Sequence, residues 1–152
     1  MNIRKMTLND LDIIYEMEKR IFNDAWSKES IKNELIRAGH SLTLICELQG
    51  KTIGYFFAQL VENEAHILNI AIDTPYQHRG YGKQFLDQII KIYLENVNVF
   101  LEVKRSNFSA INLYLSFGFE EINIRSDYYS DGEDALIMVK KDKEYDLVSS
   151  QR

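Results

Sequence analysis

Glu102 stands near the carboxyl end of an apolar stretch, after Val97, Val99, Phe100 and Leu101. A carboxylate placed there is expected to be partly desolvated, which raises its pKa and makes it a better base near neutrality. A solvated Glu102, or one paired with Lys104, is the plainer alternative, because structural ion pairs are common. Tyr114 follows on a helix that Asn107 would cap, beside Ala110, Ile111 and Phe117. A phenol titrates near pH 10 in its reference state, so at neutrality it holds a proton that it could donate (about 10 for Tyr). Tyr114 could equally be a core residue, since the chain has nine tyrosines. The third feature is the run Gln77-His78-Arg79-Gly80-Tyr81-Gly82-Lys83, directly after Ile67, Leu68, Ile70, Ala71 and Ile72. A glycine-containing turn between a strand and a helix leaves backbone N–H groups open, and the helix dipole adds positive potential there. Such a turn suits a phosphate or pyrophosphate. Taken alone, two glycines before a helix are also an ordinary tight turn. The run is not G-x-x-x-x-G-K-[ST] and lacks the three glycines of G-x-G-x-x-G.

Composition narrows the classes. A chain of 152 residues predicts one domain with a real core. The formal charge of -5 argues against nonspecific binding to nucleic acid and is compatible with a basic partner. Cys46 is the one cysteine, so no intramolecular disulfide and no cysteine-based zinc site is expected, and its apolar setting predicts a buried thiol. His40 and His66 show no ligand-like spacing with other metal-binding types, and no metal is expected. The opening MNIRKMTLND has no apolar signal-peptide core and no segment is long enough to span a bilayer. The expectation is a cytoplasmic protein with no membrane partner.

These residues need elements to position them. Asn2 to Met6 reads as a strand, and Thr7 with Asp10 has capping-box spacing. Leu11, Ile14, Met17 (or Glu18) and Ile21 give a helix. Ser27 caps a second helix with Ile31 and Leu35, stopped by Gly39. Strands follow at 41–47 and 52–61 around Gln49-Gly50, and then the apolar run, which suits a strand covered on both faces. A helix from about Gly80 to Leu94 carries Tyr81, Phe85 and Ile89 on one side, and a strand spans 97–103. Strand, helix, strand at this spacing is a parallel βαβ unit. The Asn107 helix ends at Gly118, and a hairpin of 119–129 with 135–139 closes the domain at about residue 140. Residues 141–152 are polar and aperiodic and predict a frayed tail. The fold expected is α/β, a mixed central sheet with helices on both faces, in the order β-α-α-β-β-β-α-β-α-β-β. Ligands in such sheets bind beyond the carboxyl ends of diverging strands, here those ending at Ile72 and Val103.

The pattern Q-x-x-G-x-G at Gln77, Gly80 and Gly82, directly after an apolar strand, resembles the acetyl-coenzyme A loop of the GCN5-related N-acetyltransferases (GNAT). Leu101-Glu102-Val103-Lys104-Arg105-Ser106-Asn107, Leu113-Tyr114, Gly118-Phe119, Arg125, Tyr128-Tyr129 and Asp134-Ala135 resemble the RimI-type branch. Trp26-Ser27 and Asn69-Ile70-Ala71-Ile72 match it too. That branch acetylates the N-terminal alanine of small-subunit ribosomal protein eighteen. The resemblance implies acetyl-CoA as cosubstrate, with Gln77 through Lys83 at its pyrophosphate and Ile70, Ala71 and Ile72 along its pantetheine arm. It also implies Asn107 in contact with the coenzyme, Glu102 as general base and Tyr114 as the acid that protonates the leaving thiolate. The partner implied is a basic protein N-terminus, with 24–26 and 127–129 flanking its entry. An acetyltransferase for a small amine or antibiotic, and a noncatalytic coenzyme A sensor, are the alternatives.

Overall fold

The computed structural model describes residues 1–37 and 39–142. Of the expected tail, residues 143–152 lie outside the described residues. Seven strands and four helices appear among the described residues, in the expected order. They are β1 (Asn2–Lys5), α1 (Leu11–Ile21), α2 (Lys28–Ile36), β2 (Ser41–Leu48), β3 (Lys51–Val61), β4 (Glu64–Ile72), α3 (Tyr81–Tyr93), β5 (Asn98–Lys104), α4 (Phe108–Ser116), β6 (Glu120–Arg125) and β7 (Ala135–Lys140). The strands form one mixed sheet in the order β1-β2-β3-β4-β5-β7-β6. The chain divides into two compact units, Met1–Leu60 with Leu68–Leu86, and Val61–Ile67 with the chain from Asp87 on. The strand β4 contributes to both.

In the first unit, α1 and α2 bury their apolar sides on the sheet. Ile14, Met17 and Ile31 pack with Ile45, Tyr55, Phe57 and Ala71. Ser27 caps α2 as its type predicts, its Oγ accepting from the Ser30 N–H at 3.1 Å. Asp10 serves in the capping-box place normally taken by Glu or Gln. Its carboxylate accepts from the Thr7 N–H at 2.7 Å and from both terminal nitrogens of Arg4, at 2.9 and 2.7 Å. The Arg4 hydrogen bonds hold the Asp10 carboxyl below its usual range against the opposing effect of burial. Gln49 and Gly50 both have positive φ (52° and 77°), the geometry that lets two residues close the β2–β3 hairpin. Cys46 is buried, and burial pushes its thiol up to about 11.

In the second unit, β4 and β5 pair in parallel from Glu64↔Asn98 to Ile67↔Leu101. The strand β7 inserts between β5 and β6, antiparallel to both. Ala65, Ile67, Val99, Leu101, Val103, Leu136 and Met138 are buried. Two expectations need correction. The strand β4 is not covered on both faces throughout: Ala65 and Ile67 are buried, the alternate His66 is half-buried, and Leu68 is 37% exposed. Successive side chains point to opposite faces, and the first half of β4 is fully covered on only one. The strand β6 ends at Arg125 and does not reach Tyr129. Asp127 takes φ +51°, and the N–H groups of Tyr128 and Tyr129 both donate to the Glu133 carbonyl, so this segment closes on itself as a loop.

Candidate active site

The phosphate-binding candidate lies in the first unit. The strand β4 ends at Asp73, whose carboxylate accepts from the Thr74 N–H at 2.9 Å and caps a 3-10 turn over Thr74–Tyr76. Gln77 turns back, its Nε2 donating to the Ile72 carbonyl at 2.9 Å, which fixes the loop to the strand. His78 and Gly80 then adopt φ of +63° and +85°. The second of these needs glycine for conformational reasons. The helix α3 starts at Tyr81, and the Gln84 N–H donates to the Gly80 carbonyl at 3.1 Å. Among the described residues, no backbone N–H from His78 to Lys83 has a protein acceptor. Open donors at a helix start, with left-handed residues just before them, form a nest for an anion. A Cβ on Gly82 would meet only the Ile72 Cγ1, at 3.7 Å. Neither packing nor φ demands glycine there, and the absent side chain leaves the backbone open to a ligand. These residues fit a pyrophosphate. His78, Arg79 and Lys83 are exposed around it. Ala71 and Ile72 are buried and Ile70 is half-buried.

Gly54, passed over in the sequence, belongs to this half. A Cβ there would stand 2.6 Å from the Ala71 carbonyl oxygen and 2.8 Å from the Ile72 Cδ1. The signal was an isolated glycine inside a strand, which marks a close approach of backbone.

The proton-transfer candidates lie in the second unit. Glu102 is exposed, contrary to the expected desolvation, because its side of β5 is open. Its neighbours are Arg125 and Tyr128. The Arg125 Nη1 stands 3.4 Å from the Glu102 Oε1, reaching across from β6 over β7. The Glu102 carboxylate, through hydrogen bonding first and alongside burial, holds the Tyr128 phenol above its ordinary pKa. The Arg125 guanidinium also lies over the Tyr128 ring, 5.8 Å from its centre. Lys104 pairs with Asp131 at 2.9 Å. With the Arg105 N–H on the Asp134 carbonyl (3.0 Å) and the Ser106 N–H on Glu133 (3.1 Å), this ties the β6–β7 loop to the segment after β5. The place of Arg125 beside Glu102 depends on strand order, which sequence spacing does not give.

Tyr114 is buried on α4, its ring centre 5.7 Å from that of Phe119. Burial alone pushes its phenol up to about 12, so it is protonated at neutral pH. No hydrogen-bond partner for its hydroxyl is present among the described residues, and no buried side-chain polar atom there lacks one. Asn107 is the N-cap of α4, its Oδ1 accepting from the Ala110 N–H at 3.2 Å, and it is exposed. Among the described residues no group of three or more His, Cys, Asp or Glu is placed to hold a metal ion, and no helix is long and apolar enough to cross a membrane.

Residues 11–119 match the acetyltransferase (GNAT) family, and the chain belongs to that family. It is an acetyl-CoA-dependent N-acetyltransferase. Over 142 residues it is 37% identical to the ribosomal protein bS18-alanine N-acetyltransferase of Escherichia coli K12, covering 90% of this chain and 94% of that one. It is 28% identical over 151 residues to an N-alpha-acetyltransferase of Sulfolobus acidocaldarius, covering 90% and 89%. The crystal structure of the Escherichia coli ribosomal-protein-S18-alanine N-acetyltransferase superposes with a TM-score of 0.84 at 35% identity, covering 91% of each chain.

Proposed function

We propose that this chain, through a catalytic domain of residues 1–140, acetylates the α-amino group of a protein N-terminus in the cytoplasm. The N-terminal alanine of ribosomal protein bS18 is the preferred acceptor. The observation that carries this reading is the likeness, over nine-tenths of the chain, to an enzyme named for that reaction. The charge of -5 suits a basic ribosomal protein.

The roles are those the resemblance implies, and each is one its side chain can perform. An α-amino group has a reference pKa of about 7.7–8.0 and must lose a proton before it attacks. Glu102 takes that proton, directly or through a water; an exposed carboxylate is open to an incoming ammonium. The amine then displaces the thiol from the acetyl carbon. Tyr114 gives its proton to the departing sulfur. Gln77 through Lys83 hold the coenzyme's pyrophosphate, Ile70 through Ile72 line its arm and Asn107 contacts it. The loops at 24–26 and 127–129 flank the peptide.

Mass spectrometry of peptides incubated with enzyme and acetyl-CoA tests the acceptor. Alanine-initiated peptides with basic residues behind should be modified at the α-amine. Modification of spermidine or free lysine in preference would overturn the reading in favour of a small-amine enzyme, and binding of coenzyme without turnover on any amine would leave a sensor.

Tyr114→Phe keeps the ring against Phe119 and removes only the hydroxyl. Loss of a proton donor costs about a hundred- to ten-thousandfold. Thiols have a reference pKa of about 8.5, so thiolate is a fair leaving group and the loss should sit near the lower end. It should fall on kcat more than on KM, with the thermal midpoint close to the parent's. Parental turnover where chemistry limits would return Tyr114 to the core.

A further inference from the structure

We propose that Glu18 is a positioning residue for acetyl transfer: its buried carboxylate fixes the α1–α2 loop to β4, beside the backbone assigned to the coenzyme arm. The inference rests on that assignment and on the loop flanking the peptide.

Glu18 lies on the inner side of α1 and is 1% exposed. No cation stands within salt-bridge distance of it among the described residues; three hydrogen-bond donors hold it. Its Oε1 accepts from the Tyr55 hydroxyl at 2.7 Å and from the Asn69 Nδ2 at 2.5 Å. Its Oε2 accepts from the Trp26 backbone N–H at 2.9 Å. One oxygen thus serves two neighbouring strands and the other serves the loop. A buried carboxylate is costly unless such donors satisfy it, and an apolar side chain would pack there without that cost. What an apolar residue cannot do is accept the Trp26 N–H, which has no secondary structure to receive it. The Trp26 ring meets Phe57 with centres 5.3 Å apart, so backbone and ring of the loop are both seated.

A second tether lies on the same helix. The Arg20 Nε and Nη2 donate to the Asp73 carboxylate at 3.2 and 3.0 Å. Asn69 and Asp73 bracket Ile70, Ala71 and Ile72. The end of α1 therefore grips both ends of the segment assigned to the coenzyme arm, and Glu18 adds the loop assigned to the acceptor. Loosening Glu18 should displace the acceptor loop, while the Arg20 bonds to Asp73 and the Gln77 bond to the Ile72 carbonyl still hold the coenzyme segment and leave the anion nest at Gln77–Lys83 intact.

The test compares Glu18→Met and Glu18→Gln with the parent, using acetyl-CoA and an alanine-initiated peptide. Methionine keeps the length and accepts nothing useful. The peptide kcat/KM should fall about tenfold to a hundredfold, as small misplacements do, while the calorimetric Kd for coenzyme A moves less than about twofold. Glutamine can accept the Trp26 N–H through Oε1, and the Asn69 amide can turn over to accept its Nε2. Glu18→Gln should recover most of the activity. Parental kcat/KM in a folded Glu18→Met protein, or loss of coenzyme affinity in step with turnover, overturns the proposal. Should Glu18→Met not fold, hydrogen exchange in the parent decides. The Trp26 amide should exchange as slowly as β3 amides; exchange as fast as at Asn23 overturns it. A parent that acetylates no peptide defeats the proposed function, and the Trp26 amide still answers for Glu18.

Discussion

Glu102→Gln should lose about two to four powers of ten in kcat/KM for the peptide while folding normally and binding acetyl-CoA as the parent does. Glutamine keeps the size and the capacity to accept a hydrogen bond, and it cannot take a proton. Because Glu102 is exposed, its replacement buries nothing and orphans no core group. Arg125 and Tyr128 lose a charged neighbour, and both remain at the surface with water available. Stability should therefore change little, which separates a chemical effect from a structural one. The remaining rate should depend more steeply on pH than the parent's. Below the acceptor amine's own pKa, about 8, the variant must wait for the small unprotonated fraction, so the deficit is largest at low pH and narrows as pH rises. Equal rates and equal pH profiles for Glu102→Gln and the parent would make Glu102 a surface ion-pair residue. The Tyr128 phenol gives an internal check. Its pKa is held up by Glu102, so it should titrate lower in the variant.

The features legible in the sequence were those whose causes are local. Ser27 and Asn107 cap helices through bonds to residues three positions on, and Gly80 reports its own φ. The helical phase offered Met17 or Glu18 for the inward position, and the structure buries both. What Glu18 does there was not legible, since its partners Tyr55 and Asn69 lie 37 and 51 positions away. For Glu102 the solvated alternative holds, but its partner is Arg125 rather than Lys104, for the same reason. Strand ends in the chain predict a carboxylate at an edge. They do not say that β7 will insert between β5 and β6 and carry Arg125 to within 3.4 Å. The resemblance supplied roles for Glu102 and Tyr114, and physics supplied limits: a buried, protonated Tyr114 and a Glu102 open to solvent.

Gly82→Asp should abolish useful binding of acetyl-CoA without harming the fold. The glycine has no Cβ neighbour closer than the Ile72 Cγ1 at 3.7 Å, and its φ is ordinary, so an L side chain fits the protein. An aspartate in the first turn of α3 meets the positive end of the helix dipole, which stabilises by about 0.3–1 kcal/mol at exposed sites. The melting temperature of the free protein should hold or rise slightly. The bound coenzyme should meet the opposite outcome, because the new carboxylate would occupy the place proposed for the pyrophosphate among the open N–H groups from His78 to Lys83. Two unit charges 4 Å apart repel by about 4 kcal/mol at an effective dielectric of 20. Solvent at this exposed loop reduces that, and about 2.7 kcal/mol already corresponds to a hundredfold in Kd. Gly82→Ala separates the two contributions. It adds the Cβ without the charge and should weaken binding far less. The deficit of the aspartate variant should shrink as salt is raised from about 0.01 to 1 M, over which the Debye length falls from about 30 to 3 Å. Calorimetry that finds the same Kd for Gly82→Asp and the parent would move the pyrophosphate away from this loop.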